Sequence, residues 1–498
     1  MVNTKETLIK IFGADCVEDS VQALEAYTEN TCFVKGFKPS YIVHVSNSAQ
    51  VVELIKFANE TKTPVVTVSS GGSHRHGGAV PAAPQAIILD LSGLKEVYYT
   101  NYTWRVAAFG AGITYGELAP VLAKDGLMLD STLAPRADKS VVASLLETEP
   151  RINPNVQWSS TDPLRATETI FGDGTLLRTG DAATSPTNMP VANALKFNEE
   201  TFHSHTIGAC GPEDIDYYRL LTGAQGTLGA ITWVSAKVTR IPKISSLFLF
   251  PTDDLAKAVE FMYNVEHIRF SDGLFLLDSM GLALLMGYEG EQALKVQKKL
   301  PKWTAAAVAA SRELASELRY KAQVSGLEEC AAKAGIEMVS AVADIKAADV
   351  MKKAFNPCQP GKYWHDGLKG KAADIFFLTT MDKVHEFTDK MNALADKFGV
   401  PANEIAVCVQ PKHMGVCCRV EFILPYDAAD AEDTAKVKEL FETASKEFCD
   451  MGGFFSRPYG KMARIQLGKD GMGTLTLNKI KGIFDPNGIM NPGKLSVC

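Results

Sequence analysis

The chain has 498 residues, 46% hydrophobic and 22% charged, with a formal net charge of −7. This is an ordinary globular balance, long enough for two or three structural units and a sizeable core. It excludes a broad basic nucleic-acid footprint, and no run reaches the roughly 18 apolar residues that span a bilayer. Ten cysteines are scattered, with no CxxC pair and with Cys417 beside Cys418. Read as reduced thiols, they fit a cytoplasmic protein. The start, MVNTKETLIKIFG, lacks the basic and apolar regions of a signal peptide, so none is expected.

In chain order, YIVHVSNSAQVVELIKFANETKTPVVTVSS reads as strand, capped helix, strand. Ser46 or Asn47 serves as the cap, and Val51, Val52, Leu54, Ile55 and Phe57 are the apolar positions of the helix. Thr63-Pro64 punctuates the β-branched VVTV that follows. Directly after it comes SSGGSHRHGG, Ser69 to Gly78. Next come AIILDLSGL as a strand, then TWRVAAFGAGITYGELAPVLAKDGL as strand, glycine turn and helix. Residues from about 40 to 240 thus form one α+β unit, with a change near Pro242. Helical patterns dominate from Leu255 to about Gly335, and WTAAAVAASRELASELRYKA reads as helix. Strands and helices alternate again from Asp374 to Asp427, the pattern of a second α+β unit on an antiparallel sheet. The chain closes with LTLNKIKGIFDPNGIMNPGKLSVC, a helix and a turn-rich tail.

The glycine-rich loop leaves three chemistries open: a phosphate cradle, a metal site, or a covalent attachment point. It lacks the GxGxxG of a dinucleotide fold and the Gly-Lys-Ser/Thr of a nucleotide P-loop. Successive backbone N–H groups in such a turn form an anion nest, and glycine permits the positive φ that a nest requires.

PVVTVSSGGSHRHGGAVP resembles the pyrophosphate loop of the vanillyl-alcohol oxidase / p-cresol methylhydroxylase (PCMH-type) flavoproteins. That superfamily also includes D-lactate and glycolate dehydrogenases. Four further segments fit in order: AAFGAGITYGELAPVLAKDGLML, DKSVVASLLETEP, YYRLLTGAQGTLGAITWVSAKVTRIP and IKGIFDPNGIMNPGKL. The resemblance implies an α+β fold with a bipartite FAD-binding domain made from both chain ends. Residues 1–243 and 445–498 would form it, around a cap or substrate domain of residues 244–444 built on an antiparallel sheet.

It also implies FAD contacts at Ser69, Ser70, Gly71, Gly72, Ser73, His74, Arg75, His76, Gly77 and Ala79, with Ser70 and Ser73 as hydroxyl donors. Further contacts are expected at Ser140, Ser144, Gly226, Gly229, Ile231, Asn491 and Lys494. Some relatives tether FAD through a histidine directly after the Gly-Gly pair. Ser73 occupies that place here and His74 comes one later, so FAD is expected to be non-covalent, with His74 and His76 bonding it or lining the pocket mouth. The hydroxy-acid branch carries a metal-associated histidine pattern, of which only His413 and Gly415 survive. A zinc or iron site needs three or four converging ligands, so no metal is expected.

Catalytic candidates lie on GVCCRVEFILP and FFSRPYG. Strand alternation puts Arg419 and Glu421 on one face with Cys417, and Val420, Phe422 and Leu424 on the other. Arg419 is suited to clamp a carboxylate or phenolate, and a solvated pair with Glu421 is the competing reading. Arg457 matches an arginine of the aryl-alcohol branch, Ser456 stands where that branch has tyrosine, and Tyr459 is placed to compensate. Trp158, Tyr363, His365 and Gln410 are the substrate-pocket candidates. The leading expectation is a FAD-dependent oxidoreductase that transfers hydride from an alcohol or phenol-type, aromatic substrate. A metal-independent 2-hydroxy-acid dehydrogenase is the alternative, and an electron-transfer subunit of a larger complex is the reading of another class. The substrate is a small molecule, a homodimer is compatible, and the electron acceptor is left open among oxygen, an electron-transfer flavoprotein and another redox chain.

Overall fold

The computed structural model describes residues 4–72, 74–155, 163–179, 218–412 and 415–495. Ser73, Trp158 and His413 lie outside them. Asn47 caps helix Ser48–Thr61 by accepting the amide of Gln50 at 3.0 Å, and Val51, Leu54, Ile55 and Ala58 are fully buried beneath it. Strands Tyr41–His44, Ile87–Asp90 and Val65–Val68 run parallel in that order, with Val17–Glu18 antiparallel on the outer side of the first. The β-branched and aliphatic run Ile87–Leu89 is inaccessible on both faces, as strands of parallel sheets are. The glycine-rich loop leaves the carboxyl end of Val65–Val68, the edge where such sheets place ligands.

A second, antiparallel sheet is ordered Val97–Asn101, Val106–Gly110, Gly229–Lys237, Leu164–Phe171, Leu176–Arg178. It shares one apolar core with the first sheet and with Ile489 and Met490 from the far end of the chain. The tail is fastened by backbone and charge. Val65 donates to Ile489 O at 2.8 Å and accepts from Asn491 N–H at 2.7 Å, a parallel bridge beside Val65–Val68. Buried Asp485 accepts the amides of Ile489 and Met490 at 3.0 and 2.9 Å and pairs with Lys481 at 2.7 Å. Lys481 also donates to Thr227 O at 2.8 Å. Both chain ends therefore build one unit.

Between them lies a six-stranded antiparallel sheet ordered Ile244–Thr252, Trp303–Ser311, Gly273–Asp278, Ala406–Lys412, Cys417–Tyr426, Lys371–Thr379. Helices Leu255–Ile268, Ser316–Ala334, Val384–Phe398 and Ala431–Asp450 share a core with one face. The helix expected over WTAAAVAASRELASELRYKA divides: Trp303–Ser311 is a strand and the helix begins at Ser316. Alanine favours helix in isolation, but this strand is flanked by neighbours and covered on both faces. Ala305, Ala307 and Ala309 enter one core, while Ala306, Val308 and Ala310 enter the other. Small side chains on both faces hide the alternation that marks a strand. The boundary expected at 444 falls inside helix Ala431–Asp450, whose Val437, Leu440, Ala444 and Phe448 belong to the sheet's core.

Asp485→Ala leaves two amides without acceptors and Lys481 without its carboxylate. It should lower stability by about 2–4 kcal/mol in urea denaturation. Asp470→Ala, which removes an exposed helix cap on Gly473, should cost about 1 kcal/mol.

Candidate active site

A cavity lined by residues of both units lies between them. Its walls come from the glycine-rich loop, the segment 139–150, the loop 223–229, Asn491, and the inner end of the six-stranded sheet. Of the loop residues, Ser69, Ser70, His74, Arg75, His76 and Ala79 line it, as do Gly226, Gly229 and Ile231. Ser70 Oγ accepts the amide of Ser140 at 3.0 Å, and so ties the loop to helix Val141–Leu146.

Several expected cofactor contacts do not line the cavity. Gly71 and Gly72 are exposed, and Gly72 turns at φ +78° with its Cα beside Asp138. Gly77 backs onto Tyr459 and Val34, where a Cβ would come within 2.9 Å of each, so glycine is required for packing there. Ser140 Oγ is committed to Ala111 O at 2.7 Å and to capping Ala143 N. Ser144 Oγ donates to Glu149 at 2.7 Å and accepts from Tyr115 at 2.8 Å. Lys494 donates to Gly77 O, and burial lowers its ammonium to about 8. These residues shape the loops that face the cavity.

Arg75 departs furthest from expectation. Its guanidinium turns away into the cap, where Nη1 bridges both oxygens of Asp366 at 2.8 Å. Nε meets Asp374 at 3.2 Å and Nη2 meets Ala372 O at 3.0 Å. Burial opposes its charge, and Asp374 and Asp366 outweigh that and hold it well above the ordinary value. His74 lies 5.1 Å from the Tyr27 ring, and burial and Arg136 lower it to about 4, so it is neutral. His76 packs edge-on against Phe376 with Nε2 3.6 Å from Asp374.

The cap contributes three paired strands to the cavity. Gln410 stands opposite Arg419, and Phe376 opposite Glu421. Arg419 donates to Glu421 at 2.6 Å, and both are buried, so the solvated surface pair is excluded. Their neighbours Val420, Phe422 and Leu424 point into the core behind. Arg457 and Arg419 both lie on the Phe376 ring, with guanidinium carbons 4.6 and 4.2 Å from its centre. Arg457 donates to Glu147 and lies 3.5 Å from Glu149, and Lys139 bonds the same carboxylates at 2.8 and 2.6 Å. Burial pushes Glu147 and Glu149 up. Arg457 and Lys139 outweigh it, and both carboxyls are held below the ordinary range. Tyr363 and Tyr459 line the cavity, and burial holds their phenols above the usual value.

Glu147, Glu149 and Lys139 sit in a segment the resemblance brought out, but nothing in their types marked them as cavity residues. Asp366 and Asp374 were not singled out at all. The one available signal was an acid opening the apolar run DIFFL, where a buried charge demands a partner. Two trios of possible metal ligands converge on Asp374: His365 with Glu421, and His76 with Cys32. Asp374 and Glu421 already hold guanidinium counter-charges. Burial, then Asp374, raises the Cys32 thiol to about 12, leaving it a poor ligand.

The cavity's chemistry fits a flavin. Buried atoms without hydrogen-bond partners among the described residues include the acceptors Gln225 Oε1 and Asn491 Oδ1, and the side-chain nitrogens His76 Nε2, Gln410 Nε2, Arg419 Nε, Arg457 Nη2 and Trp364 Nε1. Unmet buried groups cost about 1–3 kcal/mol each. A flavin ring carries both an imide N–H and several acceptors, and Ser69, Ser70 and Arg136 on the cavity wall are groups suited to its pyrophosphate.

Residues 39–180 match the FAD binding domain family, and residues 245–495 match the C-terminal domain of FAD linked oxidases. The chain is 21% identical to a D-lactate dehydrogenase of Archaeoglobus fulgidus over 460 residues, covering 91% of this chain and 90% of that one. It is 21% identical to a D-2-hydroxyglutarate dehydrogenase of Stutzerimonas stutzeri over 485 residues, covering 95% and 94%. Its fold overlays a crystal structure of p-cresol methylhydroxylase with substrate bound at a TM-score of 0.80, with 16% identity and coverage of 99% and 96%. The chain belongs to the PCMH-type superfamily of FAD-linked oxidoreductases, and FAD is its cofactor.

Proposed function

We propose that the chain oxidises a small alcohol that carries an oxyanion beside its hydroxyl, a 2-hydroxy acid. The observation that carries this reading is the pair of unpartnered buried donors on facing strands, Arg419 Nε and Gln410 Nε2. They are placed to receive a carboxylate from the cap side, where a charge-assisted bond to a desolvated donor is strongest. Glu421 holds Arg419 in place by its 2.6 Å bond. The full-length likeness to two 2-hydroxy-acid dehydrogenases supports the same class. FAD, when bound, accepts the hydride from the substrate carbon. Arg457, with Lys139, Glu147 and Glu149, forms a charge-balanced stretch of the cavity wall. The electron acceptor is proposed to be a separate molecule, since no CxxC or haem motif occurs in the chain.

A second reading keeps the aromatic alcohol or phenol. Tyr363, Trp364 and Tyr459 supply aromatic walls to the cavity, and the same two donors would receive a phenolate. The choice is read from anaerobic bleaching of the flavin band. D-lactate or D-2-hydroxyglutarate should reduce it, and vanillyl alcohol and 4-cresol should not; the reverse pattern establishes the second reading. Gln410→Leu should raise KM for the acid about 10- to 100-fold with a smaller change in kcat.

We further propose that FAD is held without a covalent bond. His74 rests beside Tyr27, and His76 is enclosed by Phe376 and Asp374. Acid precipitation should leave the yellow chromophore in the supernatant. Colour that stays with the pellet would point to one of these histidines.

A further inference from the structure

We infer that His365, oriented by Asp374, is the general base that takes the proton from the substrate's hydroxyl. The inference rests on the alcohol reading above and assigns the proton that reading leaves open.

His365 lies in the single turn Trp364–Asp366, is 2% exposed, and lines the cavity. Its Nδ1 is 2.8 Å from Asp374 Oδ1. Burial pushes Asp374 up, but the Arg75 guanidinium outweighs it and holds the carboxyl well below the ordinary range, so it is ionised. An ionised partner at Nδ1 takes that atom's N–H, which leaves the lone pair on Nε2. The ring is fixed by Tyr363 at 4.3 Å and by Trp364 edge-on at 4.2 Å. Arg75 meets both oxygens of Asp374, at 3.2 and 3.4 Å, so the carboxylate is held in register with the imidazole. Arg75 is in this sense a positioning residue.

The charged and titratable neighbours agree with the assignment. Asp374 faces His365 from its own sheet strand, and Glu421, bonded to Arg419, from the next. Arg75 stacks on Tyr363 at 4.8 Å from the glycine-rich loop, and Asp366 follows in the same turn. His76 approaches the other oxygen of Asp374 at 3.6 Å. None of these competes as the base. Burial and Arg457 disfavour a charge on His76. The phenols of Tyr363 and Tyr459 are held high, and Glu421 is occupied by Arg419.

In the step, the substrate O–H bond breaks and its proton goes to His365 Nε2. The electron pair left on oxygen becomes the new C=O bond. The C–H bond breaks with its pair as hydride, for which FAD, when bound, would be the acceptor. The substrate loses two electrons and two hydrogens in all, and Asp374 balances the imidazolium.

His365→Asn keeps an N–H for Asp374 and removes the proton acceptor. In the FAD-loaded protein, the rate of anaerobic flavin reduction by D-lactate should fall about 10²–10⁴-fold, and the limb of the wild-type rate that rises with pH should disappear. A readout independent of turnover is oxalate binding, followed by the flavin spectrum; its second carboxylate occupies the place of the deprotonated hydroxyl. Wild-type affinity should weaken as pH rises, and the variant should show no such dependence. In His365→Ala, added imidazole should restore part of the rate. An unchanged rate and pH profile in the variant, or wild-type oxalate affinity flat with pH, overturns the assignment. If no hydroxy acid reduces the wild-type flavin but vanillyl alcohol does, the substrate reading fails, and the same variant measured with vanillyl alcohol still decides the proton.

Discussion

A guanidinium taken out of water is tolerated only when its charge and its N–H groups are answered. Arg75 is answered by two aspartates and a carbonyl that all belong to the cap. The loop that carries it leaves the parallel sheet of the other unit. One ion-pair cluster therefore joins the cofactor-facing loop to the sheet that closes over it. Removing either side would strand a buried charge, so the two units are held at one separation, and the cavity between them has a defined depth.

The same cluster sets the electrostatics of the cavity. Asp374 is ionised because Arg75 holds it so, and the imidazole of His365 is oriented because Asp374 is ionised. Arg457 and Lys139 against Glu147 and Glu149 form a second set. Arg419 with Glu421 is a third. Each set leaves its charges paired. The buried donors left without partners, Arg419 Nε and Gln410 Nε2 on the facing strand, are the polar handles offered to a ligand. The chain's terminal segment supports this from outside, with Lys481 and Asp485 pinning the tail and Lys494 bracing Gly77.

Much of this was legible in the sequence. The capped helix at Asn47, the β-branched VVTV and the glycine-rich loop are local signals, and the structure places them in the order read. The alternation of Arg419 and Glu421 against Val420 and Phe422 survived because it depends only on strand period. What failed was tertiary in origin. Nothing local tells Ala305–Ala310 that layers will cover both faces. Ser140 and Ser144 have the right chemistry for a ligand, but a helix cap and Glu149 claim their hydroxyls. Arg75 resembles a phosphate donor until a carboxylate about 300 residues away is known. Ion pairs across domains carry no sequence period, so Asp366 left no signal and Asp374 only that of an acid opening an apolar run.

The central claim is that Arg75 builds the FAD cavity by clamping the loop to the cap. Arg75→Lys keeps the charge and gives up the fork that reaches two aspartates and a carbonyl at once. FAD titration of the apoprotein, with urea denaturation as the control for folding, tests this most directly. The account predicts a folded protein whose dissociation constant for FAD rises about tenfold or more. A dissociation constant equal to that of the wild type would contradict it.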